Sequence, residues 1–443
     1  SGTYVFGSRS FVGDTASMPI DIPFDGMLTE AEVTFSKFAF NTRNTHIKVE
    51  DAELDYGTLF DEKFKGSFAI RSVRPNPDGP NYPIFRSYKS NFEYKGIGDG
   101  ITLKGGFTLL GNEISTIGQD LGKNYIEIKK DNKLILKGHS QRFFIQDTVL
   151  KSHKVDLVIY EGKDSLYHPS MGFSYNLLSE ILSLYWEPGH FKHRPMVDTY
   201  HEVEIVADKM TWDLNTREID FSMIYGRSEV PAKIRSMNNF DNQEYIRIKG
   251  LHKFHPVQVA AYFAMKQRRN EFSSFELAEA YKINPKEMKN AIIGAAGKGY
   301  LDYDETTGLI KTNYKTFHAY KSNFKKTDFD NMEWFSVSPS GRNATFLLDS
   351  GHLVIRGIDR EIVSKELGVY YKPDSGVIVL QENRDFKFDG EIKAGNYSIK
   401  GKDFDFSYDD FHLHLTQIDS INFDLTNDST GESSERQVLG GSI

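Results

Sequence analysis

Short stretches in which hydrophobic and polar residues alternate dominate the chain. In one of them, Phe404, Phe406 and Tyr408 alternate with polar residues. Gly, Asn or Asp interrupts these stretches roughly every 8 to 14 residues, a spacing typical of all-β proteins. Because successive side chains of a strand point to opposite faces, the pattern predicts strands with one buried face.

Two predicted hairpins show this pattern most clearly. Residues 404–408 and 411–415 both alternate, and two aspartates separate them, which predicts a two-stranded hairpin with one apolar face. Upstream, the alternating residues 203–207 precede a predicted turn at 214–217 and a further strand at 219–223.

Four stretches share a loose frame in which a small residue follows a strand and a second strand, often aromatic, comes next. They are 136–138, 206–210, 354–358 and 392–396. Weak units that cannot each bury a face alone are typical of arrays whose neighbouring repeats form a continuous core. The alternative is that small residues follow strands in any β-protein, without repetition.

A helical segment interrupts the β pattern. Apolar residues at helical spacing predict a helix from Pro256 to about Arg269. Ser273, with Glu276 three residues later, predicts a capping box that opens a second helix ending near Tyr281.

A third helix and a hairpin complete this segment. Asn284 caps the helix, Pro285 occupies its first position, and Gly299 ends it. A hairpin turn at 305–308 follows. Three helices followed by a β-hairpin resemble a winged-helix domain, and the resemblance covers 251–315.

Two further stretches have simple interpretations. The apolar residues 175–186 are long enough for a helix or a pair of strands, and we favour strands. Residues 75–83, rich in Pro, Asn, Asp and Gly, predict a surface loop.

The charge balance argues against nucleic-acid binding. The 443 residues carry a net charge of −8, so there is no overall basic field for a polyanion. Across 252–313 the net charge is only +2, without a clustered basic footprint. A spacer or a module that contacts other proteins is the favoured interpretation of the helical segment. No run of apolar residues is long enough to span a membrane as a helix.

Cysteine is absent, which excludes disulfides, thiolate nucleophiles and zinc fingers. Metal binding would fall to histidines and carboxylates. The candidate pairs are His412 with His414, His190 with His193, and His252 with His255. Residues two apart on a strand share a face, but no third ligand accompanies the first pair, and we predict neither a metal nor a cofactor.

Carboxylates are abundant but form no recognisable catalytic motif. Asp302, Asp304 and Gly308 superficially resemble a calcium loop, yet no Glu lies where such a loop needs one. The aspartates of 403–410 are interpreted as the solvated edge and turn of a hairpin. Phosphate loops, nucleophile elbows and zinc-protease helices are absent from the sequence. We therefore predict no enzyme and assign no catalytic residue.

One family resemblance emerges from the repeated frame. Residues 205–219 resemble the OstA-type repeat of lipopolysaccharide-transport proteins, and 136–162 resemble a second copy. Stretches such as 386–395 are also similar to parts of very large, mostly uncharacterised envelope proteins of Bacteroidota. The OstA resemblance implies repeats stacked into a twisted β-jellyroll whose groove carries acyl chains across the periplasm.

Such a groove needs apolar side chains that point inward from successive strands. Phe404, Phe406, Phe411 and Leu413 fit that requirement, and they equally fit a sealed core. The winged-helix-like insert and the high aromatic content depart from the family pattern.

The sequence thus predicts a mainly β chain of stacked antiparallel repeats, jellyroll- or solenoid-like, with a small α+β insert. We expect an N-terminal β-repeat region at 1–122, an OstA-like region at 123–250, the insert at 251–315, a C-terminal β-repeat region at 316–426 and a polar linker or tail at 427–443. The start without Met predicts a fragment or a processed chain.

Three functions remain open. The first is a non-enzymatic scaffold of the bacterial cell envelope, periplasmic or on the cell surface, that binds other envelope or outer-membrane proteins. The second is lipid or lipopolysaccharide transfer through an apolar groove. The third is a carbohydrate-binding module or surface hydrolase, which exposure of Tyr370, Tyr371, Trp186 or Trp212 in a cleft would favour.

Overall fold

A computed structural model describes residues 1–24, 27–44, 46–71, 81–118, 124–187, 194–224, 230–339, 341–364, 368–426 and 433–440. It is mainly β, with 53% strand and 14% helix. The described strands form a large antiparallel sheet, accompanied by five short α-helices, which confirms the predicted fold class.

The chain divides into two compact units. Unit 1 comprises 1–160, 169–184 and 213–215, and unit 2 comprises 161–168, 185–212 and 216–443.

The regular elements of the described residues up to 185 are strands. They are β1 (Gly2–Val5), β2 (Ser10–Phe24), β3 (Met27–Asn41), β4 (His46–Asp55), β5 (Phe64–Arg71), β6 (Ile84–Ser87), β7 (Phe92–Tyr94), β8 (Ile101–Gly105), β9 (Thr108–Leu110), β10 (Glu113–Ser115), β11 (Asn124–Lys130), β12 (Lys133–Ser140), β13 (Phe144–Gln146), β14 (Val149–Glu161), β15 (Asp164–Asn176) and β16 (Ile181–Tyr185).

Aromatic side chains fill the core of unit 1. The ring centroids of Phe64 and Phe92 are 4.3 Å apart, and those of Phe60 and Phe107 are 5.4 Å apart. Phe85 and Phe107 have no solvent-exposed surface. The strands around these rings therefore enclose a packed interior.

The rest of the chain adds strands and all the helices. The strands are β17 (Met196–Asp198), β18 (Val203–Val206), β19 (Lys209–Asp213), β20 (Glu218–Ser222), β21 (Ala232–Ser236), β22 (Glu271–Ser273), β23 (Asp302–Tyr303), β24 (Leu309–Lys311), β25 (Glu333–Ser336), β26 (Ala344–Leu347), β27 (His352–Ile355), β28 (Glu361–Ser364), β29 (Val369–Pro373), β30 (Ile378–Leu380), β31 (Phe386–Ala394), β32 (Tyr397–Ser407), β33 (His412–Thr426) and β34 (Ser433–Gly440). The helices are α1 (Asn242–Lys249), α2 (Pro256–Gln267), α3 (Ser274–Tyr281), α4 (Pro285–Ala296) and α5 (Tyr314–Asn323), with a 3₁₀ turn at Glu382–Arg384.

The predicted hairpin of 404–408 and 411–415 is confirmed, whereas β18, in the upstream stretch 203–207, pairs with β17 and β21 and not with β20. β32 pairs with β33 in a register that places Phe404 opposite Leu415 and Phe406 opposite Leu413. The turn predicted at 214–217 lies between β19 and β20. Each of the four repeated frames is followed by the second strand predicted for it. These strands are β13 after 136–138, β19 at the end of 206–210, β29 after 354–358 and β32 after 392–396.

The stretch 175–186 forms strands, as favoured above. β15 ends at Asn176, whose side-chain oxygen accepts hydrogen bonds from the backbone N–H groups of Leu178 and Ser179, at 3.0 and 2.9 Å, and so closes the turn into β16. Most of the predicted loop at 75–83 lies outside the described residues.

The linker predicted at 427–443 is wrong for Ser433–Gly440. This segment is β34, which pairs antiparallel with β33. Its composition is polar, but backbone pairing along the edge of β33 does not require apolar side chains. Residues 427–432 and 441–443 lie outside the described residues.

The three predicted helices are confirmed as α2, α3 and α4, and the predicted hairpin as β23 and β24. Ser273 accepts a hydrogen bond from the Glu276 backbone N–H at 3.0 Å, but the Glu276 carboxylate pairs with Arg269. Of the two hydrogen bonds of a capping box, only the one accepted by the serine side chain is therefore present.

Two helices and one strand of residues 242–323 escaped the sequence analysis. α1 is polar and buries only Tyr245, and α5 buries Lys315, Thr316, His318, Ala319 and Ser322, so neither shows an apolar stripe. β22 pairs with β24, and β24 pairs with β23, in a small separate sheet. We call residues 242–323, with their five helices and this sheet, the helical module.

Candidate functional site

The helical module has its own apolar core within unit 2. Val257, Leu277, Met288 and Ile292 have no exposed surface, and Phe263 and Phe272 pack with a ring-centroid distance of 4.8 Å. The module is therefore held together independently of its polar contacts, and those contacts need a separate explanation.

Four charged residues meet where the module contacts strands of unit 2. Glu204 lies on β18 directly opposite Arg235 on β21. Glu244 belongs to α1 and Lys315 to α5. We call these four residues the buried charge cluster, because Glu204 is 4%, Arg235 6% and Lys315 9% exposed.

Glu204 is the centre of the cluster. Arg235 Nε donates to Glu204 Oε2 at 2.6 Å. Lys315 Nζ donates to Oε1 at 2.8 Å and to Oε2 at 2.6 Å. Arg235 Nη1 donates to Glu244 Oε2 at 3.1 Å. One carboxylate thus binds a strand and a helix at the same time.

The pKa values in the cluster reflect burial and the attraction between its opposite charges. Burial alone would raise the pKa of Glu204, but Lys315 and Arg235 together hold it below its ordinary value. Burial lowers the pKa of Lys315 to about 8, with a further lowering from Arg235 and an opposing effect of Glu204. Because every charge in the cluster faces an opposite charge, the arrangement stabilises a geometry and offers no unsatisfied group for catalysis.

Arg194 forms a second polar link to the helical module. Its Nη1 donates to the backbone oxygens of Ala296 and Leu301, both at 2.9 Å, and its Nη2 pairs with Asp302. Asp302 belongs to the sequence pattern that superficially resembled a calcium loop. In that same pattern, Asp304 accepts hydrogen bonds from the Thr306 and Thr307 backbone, at 2.9 and 3.4 Å, and so shapes its own turn.

A His–Asp pair that the sequence analysis missed lies in the core of unit 2. His201 is completely buried, with Nδ1 2.6 Å from Asp198 Oδ2 and Nε2 3.0 Å from the Gly351 carbonyl oxygen. Both ring nitrogens face acceptors, so neither is available to take a proton from a substrate. The pair therefore holds β17 and the following turn in place.

The two candidate histidine pairs in the described residues do not converge with other ligands. His412 and His414 are exposed on β33. His252 Nδ1 lies 3.4 Å from Glu287, and His255 Nε2 donates to the Tyr245 carbonyl oxygen at 2.8 Å. In the part of the chain that the structure describes, no three His, Asp or Glu side chains are grouped as metal ligands. His190 and His193 lie outside it.

The aspartates of 403–410 lie on β32 and in the turn before β33, and β32 pairs with β31 as well as with β33, so it is not the edge strand expected from the sequence. Asp405 pairs with Lys387 at 3.2 Å, Asp409 accepts from Asn383 at 2.9 Å, and Asp403 accepts from Gln417 at 2.7 Å. These contacts are local, and the predicted turn lies between β32 and β33.

The aromatic residues proposed for carbohydrate stacking do not form an exposed platform. Trp212 is 5% and Tyr371 7% exposed, and the Tyr371 hydroxyl accepts a hydrogen bond from Trp334 at 2.7 Å. Trp186 and Tyr370 are half-buried.

The four residues that could have lined a groove lie in different environments. Phe404 is completely buried, Phe406 and Leu413 are half-buried, and Phe411 is 57% exposed. Phe406 stacks on Phe386 with centroids 4.8 Å apart. These contacts are those of a packed core.

Glu361 is the most perturbed carboxyl outside the buried charge cluster. Burial raises its pKa to about 7, although the Phe335 backbone N–H donates to its Oε1 at 2.9 Å and partly offsets that effect. Glu361 lies on β28 and is 8% exposed. A carboxyl that changes charge near neutral pH is a candidate functional group, but a single buried acid defines no reaction.

An open concavity of about 540 Å³ lies on β2–β5 and includes Thr15, Thr34, Phe35, Asp51 and Lys65 in its lining. No helix in the described ranges is long and apolar enough to cross a membrane.

Comparisons with known proteins identify no relative. No family model, curated protein or solved structure significantly matches the chain.

Replacing Glu204 should strongly destabilise the protein. Glu204→Gln leaves Arg235 and Lys315 buried without their shared counter-charge, which we expect to lower the free energy of unfolding by about 3–5 kcal/mol. Urea unfolding at pH 7 measures this change. The matched control is Glu276→Gln at the exposed pair with Arg269, expected to cost less than about 1 kcal/mol. Equal losses in the free energy of unfolding for the two variants would contradict the conclusion that Glu204 is the buried counter-charge of Arg235 and Lys315.

Glu361→Gln should remove part of the pH dependence of the free energy of unfolding. The pKa of Glu361 is higher in the folded chain than its ordinary value of 4.5. Its favourable contribution to the free energy of unfolding is therefore complete below pH 4.5 and is lost as the pH rises through 7. Gln keeps the acceptor for Phe335 without ionising. The variant should therefore match the parent near pH 4.5 and exceed its free energy of unfolding at pH 8 by up to about 3 kcal/mol.

Unfolding by urea at both pH values measures this difference, with Glu218→Gln on the exposed side of β20 as the control. A Glu361→Gln effect that is the same at both pH values would show that the carboxyl does not titrate as described.

Proposed function

We propose that the chain is a non-enzymatic scaffold of the bacterial cell envelope, periplasmic or on the cell surface. Its antiparallel strands hold the helical module, and the protein binds other envelope or outer-membrane proteins. The envelope location rests on the resemblance of 205–219 and 136–162 to OstA-type repeats.

The buried charge cluster is the observation that carries the proposal. Glu204 and Arg235 belong to strands, and Glu244 and Lys315 to helices of the module. A module fixed in this way presents its outer surface in one orientation, which a partner can recognise without ordering the chain first.

The order of elements supports the view that the helical module is of the winged-helix type. α2 is followed by β22, then by α3 and α4, and finally by β23 and β24, with β24 central in the small sheet. The turn of the hairpin between β23 and β24 carries Asp304 and Glu305, whose negative charge disfavours a nucleic-acid backbone. Contact with protein is the use of such a module that these charges favour.

The packed interior favours a scaffold over a lipid carrier. An acyl chain needs a continuous apolar channel, whereas Phe85 and Phe107 in unit 1 and Phe221 and Phe404 in unit 2 are completely buried among other side chains. Lipid or lipopolysaccharide transfer, as well as carbohydrate binding or hydrolysis, thus has less support from the described side chains.

Native mass spectrometry tests this proposal on the chain gently extracted from bacteria that express it. We expect a lipid-free chain bound to another protein in fixed stoichiometry. Lipid retained in fixed stoichiometry would favour the carrier instead, and a solitary chain without lipid or protein would also contradict the scaffold.

A further inference from the structure

Three helices of the module present aromatic side chains that are only partly covered by the described structure. Tyr262 on α2 is 51% exposed and Phe324, just after α5, is 48% exposed. Tyr281, the last residue of α3, and Tyr320 on α5 are half-buried beside them. We call these four residues the aromatic face.

The four rings form one surface. The ring centroids of Tyr320 and Phe324 are 5.1 Å apart. The Tyr281 hydroxyl donates to the Val259 carbonyl oxygen at 3.3 Å, which fixes the end of α3 against α2. Burial raises the pKa of Tyr281, and Tyr262 and Tyr320 both add to that effect, as expected for hydroxyls that lie close together.

The module does not need this face for its own core. The inner side of α2 is formed by Val257, Ala260 and Ala264, all essentially buried, while Tyr262 points away from them. Exposed, clustered aromatic side chains of this kind are enriched where proteins bind one another, because they bury much area at little conformational cost.

Several lysines lie close in sequence to the residues of the aromatic face. The exposed ones that follow its residues or neighbour them in sequence are Lys266, Lys282, Lys321, Lys325 and Lys326. None of these five has a carboxylate within 4.0 Å in the described part of the chain, whereas exposed lysines such as Lys48 and Lys65 do. Lys326 Nζ lies 5.8 Å from the centre of the Phe324 ring. Glu279 and Asp328 are the neighbouring acids in sequence, so an excess of positive charge remains.

We propose that the aromatic face, with its lysines, binds a short acidic segment of a partner protein, in which Asp or Glu residues flank apolar side chains. The apolar side chains would pack on Tyr262, Tyr320 and Phe324, and the carboxylates would pair with the lysines. This inference rests on the proposed scaffold function and names the surface and the partner chemistry for it.

A short segment fits the charge of the chain better than an extended anionic surface does. The whole protein carries −8, so a membrane of anionic lipid or a nucleic acid would meet net repulsion beyond the local lysines. A peptide interacts only with charges within about 8 Å at physiological ionic strength. The half-buried rings of Tyr281 and Tyr320 also offer a surface to pack against, and do not protrude as membrane-inserting residues do.

Peptide selection on the intact chain tests the proposal. Random displayed peptides of about 15 residues are selected against it, and the most enriched peptide is measured by fluorescence anisotropy. We expect enriched sequences with acidic residues beside aromatic or aliphatic ones, and binding that weakens as salt is added.

Two charge-reversed variants locate the site. Lys325→Glu with Lys326→Glu should weaken binding at least about tenfold. Lys286→Glu with Lys289→Glu, at exposed positions of α4 in the same module, should change it less than about twofold and controls for overall charge. Phe324→Ser, at an exposed position, should weaken binding without altering the salt dependence.

Enriched peptides without an acidic excess, or equal losses in the two double variants, would overturn the proposal. Vesicles of phosphatidylglycerol are tested in parallel, and vesicle binding that Lys325→Glu with Lys326→Glu abolishes would assign the face to lipid instead. If the peptide result fails while the chain from cells remains lipid-free in a protein complex, only this surface is wrong and the scaffold function stands.

Discussion

The architecture of unit 2 depends on one buried carboxylate. Glu204 lies between Arg235 and Lys315, and all three are almost inaccessible to solvent. Removing such charges from water costs several kcal/mol for each ion, and the cost is offset only when each charge meets its partner at hydrogen-bonding distance. The requirement fixes the positions of α1 and α5 relative to β18 and β21, because any other placement would leave a charge buried alone.

The described interiors of both units are filled by side chains that contact one another. In unit 1 the rings around Phe107 fill the space between strands, and in unit 2 His201 contacts Asp198 through one ring nitrogen and the Gly351 carbonyl oxygen through the other. The side chains that remain available for a partner are those that the fold holds at the surface, among which the aromatic face and its lysines combine apolar area with uncompensated charge.

Sequence patterns predicted the elements whose signals are local. Alternation located β32 and β33, and the caps Ser273 and Asn284 located α3 and α4, because each signal depends on residues a few positions apart. α5 was missed because Lys315, Thr316 and His318 are buried on it, and its inner side therefore looks polar. The buried charge cluster was beyond sequence analysis for another reason: its members, at 204, 235, 244 and 315, meet only after the sheet and the module have formed.

Hydrogen exchange of the intact protein, followed by peptide mass spectrometry, tests most directly whether the charge cluster makes the module and its strands one cooperative structure. The account predicts that the backbone amides of α5 and α1 exchange as slowly as those of β18 and β21, and that all four accelerate together in mild denaturant. Fast exchange throughout α5 while β18 and β21 remain protected would contradict it, because the module would then open without breaking its contacts to Glu204.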